Sequence, residues 1–332
     1  MKKRDIVNFI LLIVVLSFAF YRYKTREFNY KKTKIIMDTV VEINFNSRLK
    51  NENAFMDSLF SVIDKYDNIL SYYKDGTELQ KLNSSKKDSI KINSDFYQML
   101  SMSKYLYGLS NGHFDTTIGT LTDLWDFEKA IVPDSSQIRK AKKFVGFDKI
   151  QFSKNNLVKI KNMKLNFGAI AKGYIIDKVF ERMNSNKNIV SGFINAGGDI
   201  RLFDRKNIPQ LIGIQHPRDK KKIIAEVKVA NKSVVTSGDY ERFFMKNGIR
   251  YHHIIDPFTG NPSRTCISVT VIADNAFLAD GLSTSCFLMK PQKAVEMINK
   301  IPDTEVLIYY VKNDKIIKTQ SKNLGKYLKN EK

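Results

Sequence analysis

Residues 190–202 carry two apolar runs on either side of Gly197-Gly198. Read as strand, turn and strand, the segment is an antiparallel pair, because so short a connection cannot return a parallel strand. The two glycines have a second reading, a close approach of backbone to a ligand, and both readings fit the residues. Strand-like runs recur over 35–45, 213–215, 223–229, 250–255, 268–272 and 306–311. Single helices interrupt them. Phe55, Leu59, Val62, Ile63, Tyr66 and Ile69 have helical spacing over 53–70, and a helix over 94–110 meets a stop at Asn111-Gly112. Residues 171–183 are amphipathic and end near Asn184. Hairpin-like strand pairs mixed with lone helices predict an α+β fold with largely antiparallel sheet, not a regular βαβ chain.

The chain has 332 residues, 43% of them hydrophobic, enough for a sizeable core in one large or two smaller domains. Its formal net charge is +21. The basic residues are scattered or gathered at the two termini, so no nucleic acid partner is expected; such a partner would ask for one concentrated stripe. Cys266 and Cys286 follow no metal-ligand spacing. Buried free thiols are the simpler reading, and a disulfide stays open.

Residues 1–22 join Lys2, Lys3 and Arg4 to an apolar run broken only by Asn8 and Ser17. The run is short for a membrane span and long for a cleaved signal. No small-residue cleavage pattern follows it. We therefore expect an uncleaved N-terminal membrane anchor helix in contact with membrane lipid, with a cleaved signal as the alternative. Residues 23–34 form a basic linker, and residues 35–330 the catalytic domain.

Four stretches carry chemistry. In 165–177, a strand ends at Gly168 and a helix begins, with Lys172 near its start; free N–H groups and an ammonium there favour phosphate. Thr236-Ser237-Gly238 reads most simply as a hydroxyl-rich turn. His252 and His253 sit on one strand and so point to opposite faces, which argues against a zinc pair. In 273–290, Asp274 or Asn275 caps a helix. Leu278, Leu282, Ser285 and Met289 form an inward stripe there. Asp280, Ser283 and Thr284 lie on the other side, with Asp280 and Thr284 one turn apart. A carboxylate with hydroxyls on one helical face holds a hard cation when phosphates complete the shell. A solvated aspartate on an ordinary amphipathic helix is the alternative.

Taken in order, these stretches resemble the FAD:protein FMN transferases, the ApbE flavin transferase family. The matching pieces are M-D-T at Met37, S-Y-Y ending at Tyr73, G-H-F-D-T-T-I-G from Gly112 and L-N-F-G-A-I-A-K-G-Y-I-I-D from Leu165. They continue with N-A-G-G-D-I from Asn195, T-S-G-D-Y-E-R-F-F from Thr236, Y-H-H-I-I-D-P-F-T-G from Tyr251 and A-D-G-L-S-T-S from Ala279. The resemblance implies a two-lobed fold of antiparallel sheets packed with helices. It implies Mg²⁺-dependent transfer of FMN from FAD to a Thr or Ser hydroxyl of an acceptor flavoprotein, with release of AMP. The alternatives are an FAD pyrophosphatase and a tethered FAD-binding protein. By the same resemblance Ala169, Asp280, Thr284 and Ser283 are metal-site residues. Met37, Tyr73, His113, Phe114, Asp115, Asn166, Lys172 and Ile255 contact FAD, and His253 helps deprotonate the incoming hydroxyl beside Asp280. Asn166 stands where Asp is common, and the lipid-attachment Cys frequent in the family is missing. The implied location is the bacterial inner membrane, with the catalytic domain on the extracytoplasmic side.

Overall fold

The computed structural model describes residues 3–24, 26–87 and 89–331. One eight-stranded sheet dominates. Its strands are β1 (Phe28–Ile36), β2 (Thr39–Ser47), β3 (Ile189–Ala196), β4 (Asp199–Asp204), β5 (Ser233–Gly238), β6 (Ser268–Ala273), β7 (Glu305–Lys312) and β8 (Lys315–Gln320). Every neighbouring pair is antiparallel and the order across the sheet is the order along the chain. The expected antiparallel α+β architecture is therefore present. The helices are α1 (Lys3–Lys24), α2 (Asn53–Leu70), α3 (Ser94–Leu109), α4 (Ala171–Ser185), α5 (Ala276–Leu288) and α6 (Pro291–Ile298), with short turns of helix between them.

The central strands are covered on both faces. Every residue of β6 is buried, the burial pattern of a strand between two layers. Helices α2, α4 and α5 pack on one face. On the other, Leu202, Val234, Ile272 and Leu307 meet Ile214, Val227 and Val229 of a three-stranded sheet built from Gln210–His216, Asp219–Val229 and Leu328–Glu331. Helix α3 closes with Asn111 and Gly112 at φ 51° and 82°, and the Gly112 N–H reaches the Tyr107 carbonyl (2.8 Å), as the Asn-Gly stop predicts.

Three expectations need correction. The basic linker over 23–34 is strand β1 from Phe28 onward. Its lysines concealed an alternation in which Tyr30 stacks on Phe45 at 5.3 Å. The single strand expected over 35–45 is instead a hairpin turning at Met37 and Asp38, both at positive φ (56° and 55°). Positive φ at both central residues is what a type I′ hairpin turn requires, and a non-glycine pair gives no composition signal for it. Third, no helix among the described residues is long and apolar enough to cross a membrane. Helix α1 has 22 residues, and its apolar run by sequence covers 6–21. That is about 24 Å of helix against a hydrocarbon core of about 30 Å. Of the anchor expected over 1–22, residues 1 and 2 and the side chains at 6 and 19–22 lie outside the described residues.

Helix α5 is buried almost all round, Asp280, Ser283 and Ser285 included, and is not the half-solvated helix that its stripe suggested. Helix α4 runs so close to it that a Cβ on Gly173 would stand 2.3 Å from the Ala276 carbonyl oxygen and 2.8 Å from Asp280 Cβ. Gly173→Ala is therefore expected to force the helices apart and cost about 1–3 kcal/mol. Thermal unfolding checks this; an unchanged Tm would show that the contact relaxes freely.

Candidate active site

Helices α4 and α5 meet under a cleft of about 770 Å³ walled by the β1–β2 hairpin tip, residues 70–74, residues 113–118 and residues 253–255. Of the sequence-predicted residues, Met37, Tyr73, His113, Phe114, Asp115, Asn166, Ala169, Lys172, His253, Ile255, Asp280 and Thr284 all line it, and Ser283 does not.

The floor is an oxygen cluster. Asn275 caps α5 by accepting the Leu278 N–H (2.8 Å), and Asp177 of α4 accepts the N–H groups of Ala276 and Phe277 (2.9 and 2.8 Å). That double cap fixes α5 against α4. One turn on, Asp280 Oδ2 accepts the Gly173 N–H at 2.9 Å. In an undisturbed helix that N–H would reach back to the Ala169 carbonyl. Among the described residues no hydrogen bond goes to the Ala169 carbonyl, and Ala169 is a lining residue of the cleft. Burial, and then the Asp199 carboxylate, push the Asp280 carboxyl well above the usual carboxylate range, against Lys172 and the Gly173 N–H. A group so placed gains most from a cation.

Ser283 is fully buried, donates to the Asp280 carbonyl (2.8 Å) and shares a hydrogen bond with Ser237 (2.7 Å). Ser237 also lies 3.4 Å from the Thr284 hydroxyl. Ser237, a turn residue by sequence, is the penultimate residue of strand β5, and only the packing of that strand on α5 aims it at Thr284. The oxygen set of Asp280, Thr284 and the Ala169 carbonyl suits a hard cation such as Mg²⁺, with phosphate oxygens supplying further ligands. Among the described residues no group of three or more His, Cys, Asp or Glu forms a metal cluster, so a cation here relies on hydroxyl, carbonyl and substrate oxygens.

Lys172 pairs with Asp199 Oδ2 at 2.5 Å. Burial works against its charge, but Asp199 and then Asp280 outweigh it and hold the ammonium above its ordinary pKa. Asp199 opens β4 just past the Gly197-Gly198 turn, a tight hairpin with φ values of 63° and 97° in which Gly197 also lines the cleft. A Cβ on Gly197 would also lie 2.3 Å from the Thr39 hydroxyl, so the turn nests against the β1–β2 hairpin.

The walls carry the rings. Tyr73 is 54% exposed, and the Arg242 guanidinium stands 4.8 Å over its ring. Arg242 was not singled out from the sequence; nothing in its local pattern brings it to Tyr73. His113 packs edge-on to Phe258 at 4.9 Å, and its Nδ1 is buried without a partner among the described residues. Phe114 is buried in the core. Asp115 turns both carboxylate oxygens inward, to the Thr117 N–H and hydroxyl (2.8 and 2.7 Å) and the Phe147 N–H (3.1 Å). Burial raises its pKa despite those bonds. Its visible work is to shape the 113–118 wall. Asn166 Oδ1 likewise accepts the Gly168 N–H (2.8 Å) and holds the turn into α4.

The two histidines part as expected, but not on one strand: the strand Ile249–His252 ends at the first, and His253 follows it. His252 is buried, with Nε2 on the Ser263 carbonyl (2.7 Å) and its ring 5.5 Å from Phe287. His253 opens onto the cleft, and its Nδ1 lies 3.3 Å from the Arg242 carbonyl. A proton on Nδ1 leaves Nε2 as the free acceptor. The desolvating cleft walls first, then His252, with Lys172 and Arg242 adding, push His253 down to about 4. The neutral ring is thus the form at neutral pH.

The model of the ApbE family matches residues 37–308. The chain belongs to the ApbE family. It is 28% identical over 314 residues to an FAD:protein FMN transferase of Treponema pallidum, covering 87% of this chain and 86% of that one. It is 32% identical over 271 residues to an FAD:protein FMN transferase of Haemophilus influenzae, covering 76% and 77%. The crystal structure of the ApbE protein of Thermotoga maritima superposes with a TM-score of 0.82 at 27% identity, over 91% of this chain and all of that one. The family match spans the floor, the Lys172–Asp199 pair and both histidines.

Proposed function

We propose that this chain is a transferase that moves FMN from FAD to a hydroxyl of an acceptor flavoprotein. The observation that carries the reading is the shape of the cleft over α4 and α5. An oxygen-rich floor beside an ammonium suits a pyrophosphate, and an exposed ring on the wall suits a flat heterocycle. The named activity of the relatives from T. pallidum and H. influenzae agrees with it.

In this reading Asp280, Thr284 and the Ala169 carbonyl hold Mg²⁺, with Ser237 and Ser283 keeping Thr284 in place. The ion, when bound, withdraws charge from the pyrophosphate oxygens. Tyr73 under Arg242 orients the flavin, and Met37 closes the hairpin side. Lys172, steadied by Asp199, faces phosphate. The acceptor hydroxyl attacks the FMN phosphorus, the bond to the AMP phosphate oxygen breaks, and His253 Nε2 takes the hydroxyl proton. One phosphoester forms and AMP leaves. The exposed apolar side chains of α1 support an N-terminus lying at a membrane surface, with the cleft on its extracytoplasmic side as part of this reading.

The test is FAD with Mg²⁺, with and without acceptor, following AMP release and covalent flavin on a gel. AMP without covalent flavin, acceptor present, would make the chain a pyrophosphatase instead. Chelation with EDTA is expected to stop AMP release, and Mn²⁺ to restore part of it, since both ions take oxygen ligands in octahedral sites. Full activity in excess EDTA would remove the metal from the reading.

A further inference from the structure

The reaction needs a protein segment at the cleft, and the fold offers a place for one. Strand β1 pairs only with β2 in the eight-stranded sheet and is its edge. Ile36 faces Thr39 across the Met37-Asp38 turn. In an antiparallel ladder closed by a two-residue turn that pair is hydrogen bonded. Alternate residues Lys31, Thr33 and Ile35 therefore aim their backbone N–H and C=O groups outward. Lysines at Lys31, Lys32 and Lys34 guard most of this edge, a usual defence of free strands. The guard stops at the cleft. Ile35 is 83% exposed and its cross-strand partner Val40 54%, while Thr33, Glu42, Asn44 and Asn46 make the rest of that face polar. Ile35 and Met37 line the cleft. The opposite sheet edge, β8, contributes no residue to it.

We propose that the acceptor protein is recognised by strand addition. An extended segment, apolar at alternate positions, pairs with the outer edge of β1, sets an apolar side chain on Ile35 and Val40, and delivers its Thr or Ser past the Met37 turn into the cleft. Continuity of the free edge with the cleft selects this occupant. The backbone supplies the pairing and the Ile35–Val40 pair the preference. The proposal rests on the transferase reading above.

Two pools of synthetic peptides, about ten residues long, test it. Each carries one threonine; one pool alternates apolar and polar residues before it, and the other has the same composition scrambled. The enzymes are the full-length protein, Thr33→Pro, which removes an outward N–H, and Val40→Asp, which places charge on the patch. The wild type is expected to attach flavin preferentially to the alternating pool. Both variants are expected to raise the KM for that pool about five- to tenfold, the scale of one strand hydrogen bond or one cross-strand contact, with FAD affinity unchanged by fluorescence titration. Val40→Asp keeps the test decisive if Thr33→Pro folds poorly. Equal labelling of the pools, no labelling of either, or an unchanged KM in Val40→Asp overturns strand addition. A wild type that releases no AMP from FAD under any condition sinks the transferase reading instead.

Discussion

Asp280→Ala is expected to lower AMP release from FAD by about 10³-fold at saturating Mg²⁺, roughly 4 kcal/mol of transition-state stabilisation. Asp280 lines the floor of the cleft together with Ala169 and Thr284, and its Oδ2 is held by the Gly173 N–H. Removing it would take away the charge that anchors the divalent ion of the proposed reading among otherwise neutral ligands. Asp280→Asn is the sharper variant. An amide oxygen can still accept the Gly173 N–H, so α4 and α5 stay together while the charge goes. Its metal-free stability gives a second readout. Burial and Asp199 raise the folded pKa of Asp280, so its contribution to stability is complete below the unfolded carboxyl pKa and is lost as pH rises through the folded value. At neutral pH the buried carboxyl is a cost, and the neutral amide should leave Tm equal or higher. A loss of activity with Tm held or raised separates a metal ligand from a packing residue. AMP release within tenfold of wild type in both variants would end the metal assignment.

The chemistry was more legible than the packing that assembles it. Asp280 and Thr284 lie one turn apart on a single helix, and Gly168 to Lys172 is a continuous run, so local spacing revealed them. Ser237 was not legible, because its partner Thr284 is 47 residues away and the contact depends on β5 crossing α5. Arg242 reaches Tyr73 across a far longer stretch of chain. Strand β1 was read as a linker because its inward residues, Phe28 and Tyr30, are outnumbered by lysines. The burial of α5 was hidden for the opposite reason: its polar residues serve the floor of the cleft, so polarity there does not signal solvent. Asp115 and Asn166, expected at the flavin, both line the cleft, and their side chains also hold its loops.

His253→Ala is expected to lower kcat by about 10²–10⁴-fold, the usual worth of a positioned general base. FAD affinity should be largely kept, since Tyr73, Lys172 and the floor remain. The neighbouring histidine is the control. His252 donates from Nε2 to the Ser263 carbonyl, while Ile254 N–H donates to its Nδ1 (3.3 Å). His252→Ala should therefore destabilise the fold by about 2–4 kcal/mol and leave kcat near wild type under folding conditions. The pH profile tells more than the mutation alone. An ordinary histidine titrates near 6.5; His253 is pushed down to about 4. The base is the unprotonated ring, so its contribution is present above that pKa and lost as pH falls through it. The rate kcat/KM reports the free enzyme and should not break near 6.5. Its acid limb should fall toward about 4, and that limb should vanish in His253→Ala. A break near 6.5 that survives the mutation, or equal kcat losses in the two variants, would return His253 to the role of a wall residue and leave the metal ion to activate the hydroxyl unaided.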